Sequence, residues 1–162
     1  MRKTKAAFLW IVGKLERDRV PFRITGGFAV RIYGSERELA DIDIEIPGSR
    51  LDFIYAEVAP YTVFGPRIYR DRNWRIRLIT LRYKGQEIDI CAAGTARIYD
   101  KSARRWVRLN INPHDAVRKK VFGKIVRVTR AGELIRYKSK LRRRVDLKDV
   151  EFLKKKLGVA GI

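Results

Sequence analysis

The spacing of hydrophobic residues predicts alternating helices and strands in the first third of the chain. Apolar side chains recur at helical intervals over 4–17, at Phe8, Leu9, Val12 and Leu15, which predicts an amphipathic helix. Strict alternation of apolar and polar residues indicates a strand over 41–46. The remaining elements predicted here are a strand over 20–25, a short helix over 28–33 and a helix over 50–59.

The rest of the chain combines paired strands with two final helices. Residues 74–84 and 87–92 alternate around a tight Gly85-Gln86 turn, which is typical of a β-hairpin. The other predicted elements are a second hairpin of 96–98 and 106–109 around Asp100-Lys101, a strand over 125–128, and helices over 131–142 and 146–157. This order predicts the α/β (α+β) class, with a mixed β-sheet flanked by helices and a helical C-terminal segment.

The length of 162 residues suits a single domain. We expect it to cover 1–162, with a core over about 4–129 and C-terminal helices over about 131–157.

Charge points to the class of partner. The chain has 38 Lys and Arg residues against 18 Asp and Glu residues, a formal net charge of +20. Such an excess favours a polyanionic partner, either a nucleotide or a nucleic acid such as RNA or tRNA. The alternative is the solvated, highly charged surface of a protein from a thermophile, which the single Gln and three Asn residues also fit.

Few residue types are available for chemistry. Cys91 is the only cysteine and His114 the only histidine, which excludes an internal disulfide, a histidine pair and a Cys/His zinc cluster. We expect Cys91 to be buried and His114 to lie in an exposed loop or helix cap. The pattern indicates neither a secretory signal nor a membrane span, so a soluble cytoplasmic protein is expected.

The segment "DIDIEI" at 41–46 concentrates acids in a basic chain. On a strand, its isoleucines would point to the core while Asp41, Asp43 and Glu45 share the opposite face. The Cα atoms of Asp41 and Asp43 would lie about 7 Å apart, so their carboxylates could converge on a hard cation. The alternative is an ordinary exposed strand face with its polar residues outward.

Two further segments extend this pattern. In "EIDI" at 87–90, Asp89 would face outward, and a strand lying beside 41–46 would bring it to Asp41 and Asp43. Three such carboxylates could hold two divalent metal ions about 4 Å apart. A strand also runs into Gly26-Gly27, where backbone N–H groups could approach phosphate oxygens.

Together these segments resemble the signature of the DNA polymerase beta-like nucleotidyltransferase superfamily, and within it the small lincosamide- and AbiEii-like single-domain members. The residues that carry the resemblance are "ITGGFAVRIYGSERELADIDIEI" over 24–46, the third Asp within 86–91, and "ELIRYKSKLRRRVDLKDVEFL" over 133–153. Two positions depart from the pattern. Leu39 stands where many relatives have Thr, and Val145 stands where they have Lys, whose role could pass to Arg144 or Lys148 or be absent.

The resemblance implies transfer of a nucleoside monophosphate from an NTP, with ATP expected, to a hydroxyl acceptor. Asp41 and Asp43 would bind Mg²⁺, or Mn²⁺, together with the triphosphate. Asp89 would help to hold the catalytic metal and would deprotonate the acceptor hydroxyl.

The same resemblance assigns the phosphate contacts. Gly26 and Gly27 would bind the β- and γ-phosphates, and Arg37 and Lys138 would offset their charge. Asp146 and Asp149 lie one turn apart on the last predicted helix. They are either functional or a helix-start feature that the helix dipole favours.

Several alternatives stay open at this stage. The acceptor could be a tRNA end, a protein hydroxyl or a small alcohol, and the positive charge favours nucleic acid. A non-catalytic nucleic-acid-binding module on the same fold is the competing function, and a toxin of a toxin–antitoxin pair is compatible with the first. Arg75, Arg77 and Arg82 either track a nucleic acid or form a solvated face, and Arg142–Arg144 either flank the site or end a helix.

Overall fold

The helices and strands follow the hydrophobic pattern closely. In the computed structural model, which describes residues 1–158, the apolar positions of the first helix are buried against the sheet. The helices are α1 Arg2–Arg17, α2 Gly26–Ile32, α3 Leu51–Val58, α4 Ala131–Leu141 and α5 Arg144–Leu157. The strands are β1 Arg23–Thr25, β2 Asp41–Pro47, β3 Thr62–Arg70, β4 Trp74–Tyr83, β5 Gln86–Ala93, β6 Arg97–Asp100, β7 Arg105–Arg108, β8 Val117–Val121 and β9 Lys124–Val128.

The nine strands found within residues 1–158 form one mixed sheet. Their order is β7-β6-β4-β5-β2-β1-β9-β8, with β3 paired to β4. The β2–β5 and β1–β9 pairs are parallel, and the others are antiparallel. The predicted mixed sheet with flanking helices and a helical C-terminal segment is therefore confirmed.

The two faces of the central strands have opposite character. Ile42, Ile44 and Ile46 of β2 are fully buried, and α1 and α3 contact the neighbouring β5. The alternate residues of β2 and β5 face the other side, where α4 and α5 reach the candidate site. Period-2 alternation thus separates an apolar core face from a polar face on the same strands.

Two strands are missing from the sequence-based prediction. The β3 segment contains Gly65-Pro66, which indicates a turn by composition, yet the strand continues through register shifts at this point. A proline is tolerated because β3 pairs only with β4 and so forms an edge. The β8 segment "VRKKV" is short and basic, and its strand conformation depends on pairing with β9.

Several smaller expectations are confirmed. Cys91 is buried and His114 is exposed. No helix within residues 1–158 is long and apolar enough to cross a membrane. The single-domain boundary stays a prediction, since 159–162 lie outside the described residues.

Candidate active site

Three carboxylates meet where β2 and β5 run side by side. The parallel register places Asp43 directly beside Asp89, with Asp41 one alternation away on β2. One oxygen from each of Asp41, Asp43 and Asp89 lies within 4.8 Å of the other two. The structure therefore brings together the three acids that the sequence singled out, on the face opposite the isoleucine core.

Burial and mutual repulsion act on this acidic cluster. Burial, followed by the charges of Asp41 and Asp89, raises the pKa of Asp43 well above its ordinary value. Burial also raises the pKa of Asp89 to about 6, with the charges of Asp41 and Glu87 adding to the shift. Burial and the charge of Glu87 likewise raise the pKa of Asp41. Hard carboxylate oxygens crowded in this way match the ligands that Mg²⁺ and Mn²⁺ take, and a bound cation would relieve their repulsion.

Thr80 orients the third carboxylate. It lies directly opposite Asp89 in the β4–β5 hairpin, and its hydroxyl donates a hydrogen bond to Asp89 Oδ1 at 2.6 Å. This bond opposes the rise in the pKa of Asp89 and fixes the rotamer of its side chain. The sequence did not indicate Thr80, because the predicted Gly85-Gln86 turn would pair Arg82 with Asp89. The strands instead turn at Lys84-Gly85, and this register places Thr80 opposite Asp89.

The diglycine leaves room for two site side chains. A Cβ atom at Gly26, which has a φ of +62°, would lie 2.0 Å from Asp43 Oδ2. A Cβ atom at Gly27 would lie 1.8 Å from Arg37 Nη2. Both glycines line the site cavity. Contact between their backbone N–H groups and phosphate oxygens stays a prediction.

A buried ionic network forms the cationic wall of the site. Lys138 Nζ lies 3.0 Å from Asp149 Oδ2 and 3.3 Å from Asp146 Oδ1, and Arg37 Nε lies 2.9 Å from Asp149 Oδ1. Arg143 Nε lies 2.6 Å from Asp146 Oδ2. Arg37 and Lys138 thus enter the site already paired to acids of α5.

The same network fixes the position of the acid pair on α5. Asp146 accepts a hydrogen bond from the backbone N–H of Arg143 at 3.1 Å, so it caps the start of the helix. It is also fully buried, as is Asp149, and both hold cations of the site wall. Burial alone would raise the pKa of Asp146, but the hydrogen bond from Arg143 and the charge of Lys138 hold it below the ordinary value.

One open cavity is lined by the three carboxylates, the diglycine and the cations of the wall, whereas Thr80, Asp146 and Asp149 lie behind its lining. Its volume is about 650 Å³, within the usual range for small-molecule sites. The seven predicted site residues all line it: Gly26, Gly27, Arg37, Asp41, Asp43, Asp89 and Lys138. An apolar and aromatic wall continues beyond the carboxylates, formed by Tyr69, Trp74, Ile76, Leu78, Cys91, Leu109, Ile111 and Tyr137.

The basic residues around the start of α5 differ from the expectation. Val145 lines the cavity and adds no charge, and neither Arg144 nor Lys148 lines it. Arg143 does line it, since its guanidinium is drawn inward by Asp146. Of the Arg142–Arg144 run, only Arg143 is therefore part of the site.

A second ionic cluster was not foreseen, and two of its members, Glu45 and Glu133, line the cavity. Arg23 is 1% exposed and pairs with Glu45 on β2 and Glu133 on α4. Its Nη1 also donates to the backbone carbonyl of Asp115 at 2.7 Å. Burial raises the pKa of Glu45 to about 7 despite the opposing charge of Arg23. No local pattern could indicate this cluster, because Arg23 and Glu133 are far apart along the chain.

Comparisons with known proteins bear on the fold. No protein-family model and no curated protein matches the sequence. Among solved structures, a candidate nucleotidyltransferase from Thermotoga maritima aligns with a TM-score of 0.64 at 17% identity, covering 94% of each chain.

Two adenylyltransferases are similar as well. The lincosamide antibiotic adenylyltransferase LnuA, solved with lincomycin, aligns with a TM-score of 0.59 at 15% identity, covering 91% of this chain and 94% of that one. ANT(2″)-Ia, in complex with adenylyl-2″-tobramycin, aligns with a TM-score of 0.60 at 16% identity, covering 96% and 90%. The chain therefore has the nucleotidyltransferase fold, which confirms the resemblance at the level of structure.

Proposed function

We propose that this protein is a metal-dependent nucleotidyltransferase, which transfers a nucleoside monophosphate from an NTP to a hydroxyl acceptor. The observation that carries the proposal is the convergence of Asp41, Asp43 and Asp89 within 4.8 Å in a cavity that also has a cationic wall. Carboxylates suit divalent metal ions, and cationic side chains suit phosphates. A site for a metal–triphosphate complex needs both.

The carboxylates hold the metal in this proposal. Asp41 and Asp43 supply ligand oxygens from one strand face, and Asp89 adds a third from the neighbouring strand. Bound Mg²⁺ or Mn²⁺ would neutralise phosphate charge and favour attack by the acceptor oxygen at the α-phosphorus. The bond between the α- and β-phosphates breaks, and pyrophosphate leaves. ATP is our expected nucleotide.

Asp89 is the proposed general base. In the metal-free protein burial raises its pKa to about 6, so the carboxylate is ionised at neutral pH and can accept a proton from the acceptor hydroxyl. The hydrogen bond from Thr80 occupies Oδ1 and holds the side chain in place.

The cationic wall binds the phosphates. Arg37, Lys138 and Arg143 line the cavity, and their charges are oriented by Asp146 and Asp149. Because buried acids hold these side chains before the nucleotide arrives, little ordering is needed on binding. Gly26 and Gly27 lie beside the carboxylates and complete the proposed phosphate site.

The acceptor that we favour is RNA, with tRNA included. A formal net charge of +20 attracts polyanions and repels cationic small molecules. The competing proposal is a nucleic-acid-binding module with no turnover, which the same charge supports.

Label transfer tests the proposal. The protein is incubated with NTPs labelled at the α-phosphate, Mg²⁺ and total RNA, and the acceptor fraction is analysed for covalent label. We expect transfer by the wild type and a loss of about 10³-fold in Asp43→Asn, which removes one charged metal ligand. The matched control is Asp52→Asn, because Asp52 is an exposed carboxylate on α3 outside the cavity.

The outcomes separate the two functions. Transfer that needs Mg²⁺ and Asp43 but survives Asp52→Asn supports the enzyme. RNA binding by the wild type and by Asp43→Asn, without label transfer from any of the four NTPs, would instead favour the binding module.

A further inference from the structure

A row of four arginines crosses the sheet on the face opposite the candidate active site. Arg70 on β3 lies directly opposite Arg75 on β4, Arg75 opposite Arg97 on β6, and Arg97 opposite Arg108 on β7. Residues directly opposite each other on paired strands share one face of the sheet. With strands about 4.8 Å apart, this arginine row extends over about 14 Å.

The alternation of β4 shows which face carries the row. Arg75 shares its side with Ile79 and Leu81, which continue into the apolar core beneath the helices. Ile76 and Leu78 point the other way, and both line the site cavity. The arginine row therefore lies behind the active site, beyond the part of the core face that α1 and α3 cover. Arg82, which sequence analysis grouped with Arg75 and Arg77, lies on the active-site face.

The row has no compensating negative charge. Within residues 1–158, no carboxylate lies within ion-pair distance of Arg70, Arg75, Arg97 or Arg108. Their neighbour Arg77 shows the contrast, because it pairs with Asp52 at 2.7 Å. Arg75 Nε is moreover buried without a hydrogen-bond partner.

The strands around the row supply no acid to its face. The acidic residues between 62 and 109 are Asp71, Glu87, Asp89 and Asp100. Alternation places Glu87 and Asp89 on the active-site face, and Asp100 shares that side with the buried Ile98. Asp71 accepts hydrogen bonds from the backbone of the β3–β4 turn. Like charges directly opposite on a sheet repel, so this face is costly without an anionic partner.

Two aromatic rings extend the row. Tyr99 lies two residues from Arg97, and Trp106 lies two residues from Arg108. The two rings pack edge to face, with their centroids 5.7 Å apart. They share the arginine face by alternation, and Trp106 is 40% exposed. Arginines beside exposed aromatics are the combination that binds a strand of nucleic acid, through its phosphates and its unpaired bases.

We propose that this face binds single-stranded nucleic acid, with phosphates on the arginine row and bases against Trp106 and Tyr99. A single strand is favoured over a duplex because duplex bases are stacked on one another and cannot reach a flat aromatic surface. The inference is independent of nucleotidyl transfer, since the arginine row and the carboxylates occupy opposite faces of the sheet.

Fluorescence anisotropy with labelled U₁₂ and dT₁₂ measures this binding across a range of salt concentrations. Four phosphate contacts predict a slope of log affinity against log salt of about −2.8 for a single strand. The variant Arg75→Thr/Arg97→Thr should make this slope about 1.4 units less steep, and it should weaken binding about tenfold at 0.15 M salt.

The matched control uses a second cross-strand arginine pair. Arg118 on β8 and Arg127 on β9 are directly opposite each other at the other end of the sheet. The variant Arg118→Thr/Arg127→Thr therefore removes the same charge from the same kind of position. We expect it to bind both oligonucleotides as the wild type does.

Further measurements guard against trivial outcomes. Circular dichroism should show that both double variants fold, because threonine suits strands and removing opposed arginines relieves repulsion. Trp106→Thr, which leaves the charge unchanged, should weaken single-strand binding with little change in the salt slope.

Four results would overturn the inference. The first is that the wild type binds neither U₁₂ nor dT₁₂, and the second is that both double variants lose the same amount of affinity. The third is that a 12-base-pair duplex binds more tightly than either single strand. The fourth is that the protein binds phosphatidylserine vesicles but neither oligonucleotide. If Asp43→Asn abolishes label transfer yet binds U₁₂ normally, both proposals stand. If the wild type shows no label transfer but still binds U₁₂, only the enzymatic proposal is contradicted.

Discussion

At the scale of single residues, the candidate site depends on glycines that leave space as much as on groups that react. The backbone at Gly26 has a positive φ and lies against the carboxylate of Asp43, so two separate constraints act at one position. The local pattern made Gly26 conspicuous, but it could not show that the nearest atom is an oxygen of the site.

Gly26→Ala tests this close approach. The new Cβ atom would overlap Asp43 Oδ2, so Asp43 must turn away and we expect label transfer to fall by at least about 10²-fold. Gly85→Ala is the control, because Gly85 also has a positive φ, +79°, but a Cβ atom there would meet no other atom within 4 Å.

Both alanine variants should lose about 1 kcal/mol of unfolding free energy from backbone strain, measured by urea denaturation. Only the Gly26 variant should lose activity. Equal activity in the two would show that Asp43 tolerates displacement.

At this scale, the sequence predicts correctly those relations between side chains that lie within a single strand. The shared face of Asp41 and Asp43 follows from period-2 geometry and is present in the structure. Thr80, Arg23 and Glu133 were missed because their partners lie on other elements, and no spacing along one segment encodes such contacts.

At the scale of elements, two ionic networks fasten the helices to the site. Arg23 joins β1 to β2 through Glu45 and to α4 through Glu133. Lys138 joins α4 to α5 through Asp146 and Asp149. Apart from Glu133, the members of both networks are buried, so the loss of one partner leaves an uncompensated charge in the interior.

Arg23→Met measures the first network. It leaves Glu45 and Glu133 unpaired, so we expect a loss of about 3–5 kcal/mol in unfolding free energy by urea denaturation. Arg130→Met is the control, because Arg130 forms an exposed pair with Asp115 and its loss should cost less than about 1 kcal/mol. Similar losses in the two variants would mean that the buried cluster stabilises the fold no more than an exposed ion pair does.

Element prediction failed where the local signal contradicts the tertiary environment. Gly65-Pro66 indicates a turn, yet β3 runs through it as an edge strand of β4. Strong periodicity, as in β2, β4 and β5, was enough to identify strands correctly.

At the scale of the whole molecule, a strongly basic chain places three of its acidic side chains close together in one cavity, where a divalent cation could bind them. The carboxylates of Asp41, Asp43 and Asp89 repel one another in the metal-free protein, as their raised pKa values indicate. Stability and metal binding should therefore be linked through pH.

The direction of the linkage follows from Asp89. Its pKa is raised from 3.8 to about 6, so the folded state holds a proton that the unfolded state releases between these values. Metal-free stability should fall as pH rises through this window, by about 3 kcal/mol for this group.

Thermal denaturation with and without Mg²⁺ checks the linkage. Because Mg²⁺ binds the ionised carboxylates, we expect it to raise Tm at pH 8 and to have little effect at pH 5. Asp89→Asn should raise the metal-free Tm at pH 8 and reduce the Mg²⁺ increment. Equal increments at the two pH values would contradict the assignment of a metal site.

The local pattern of residues is sufficient for part of this protein. It sets the strand alternation that separates isoleucines from acids, the glycine positions, and a charge that attracts polyanions, because each of these depends on neighbours along the chain or on composition. The strand order that puts Asp89 beside Asp43, the acids that hold Lys138, and the arginine row come from the folded chain. Packing of distant segments sets these contacts, since register between strands is chosen by the whole core rather than by any one segment.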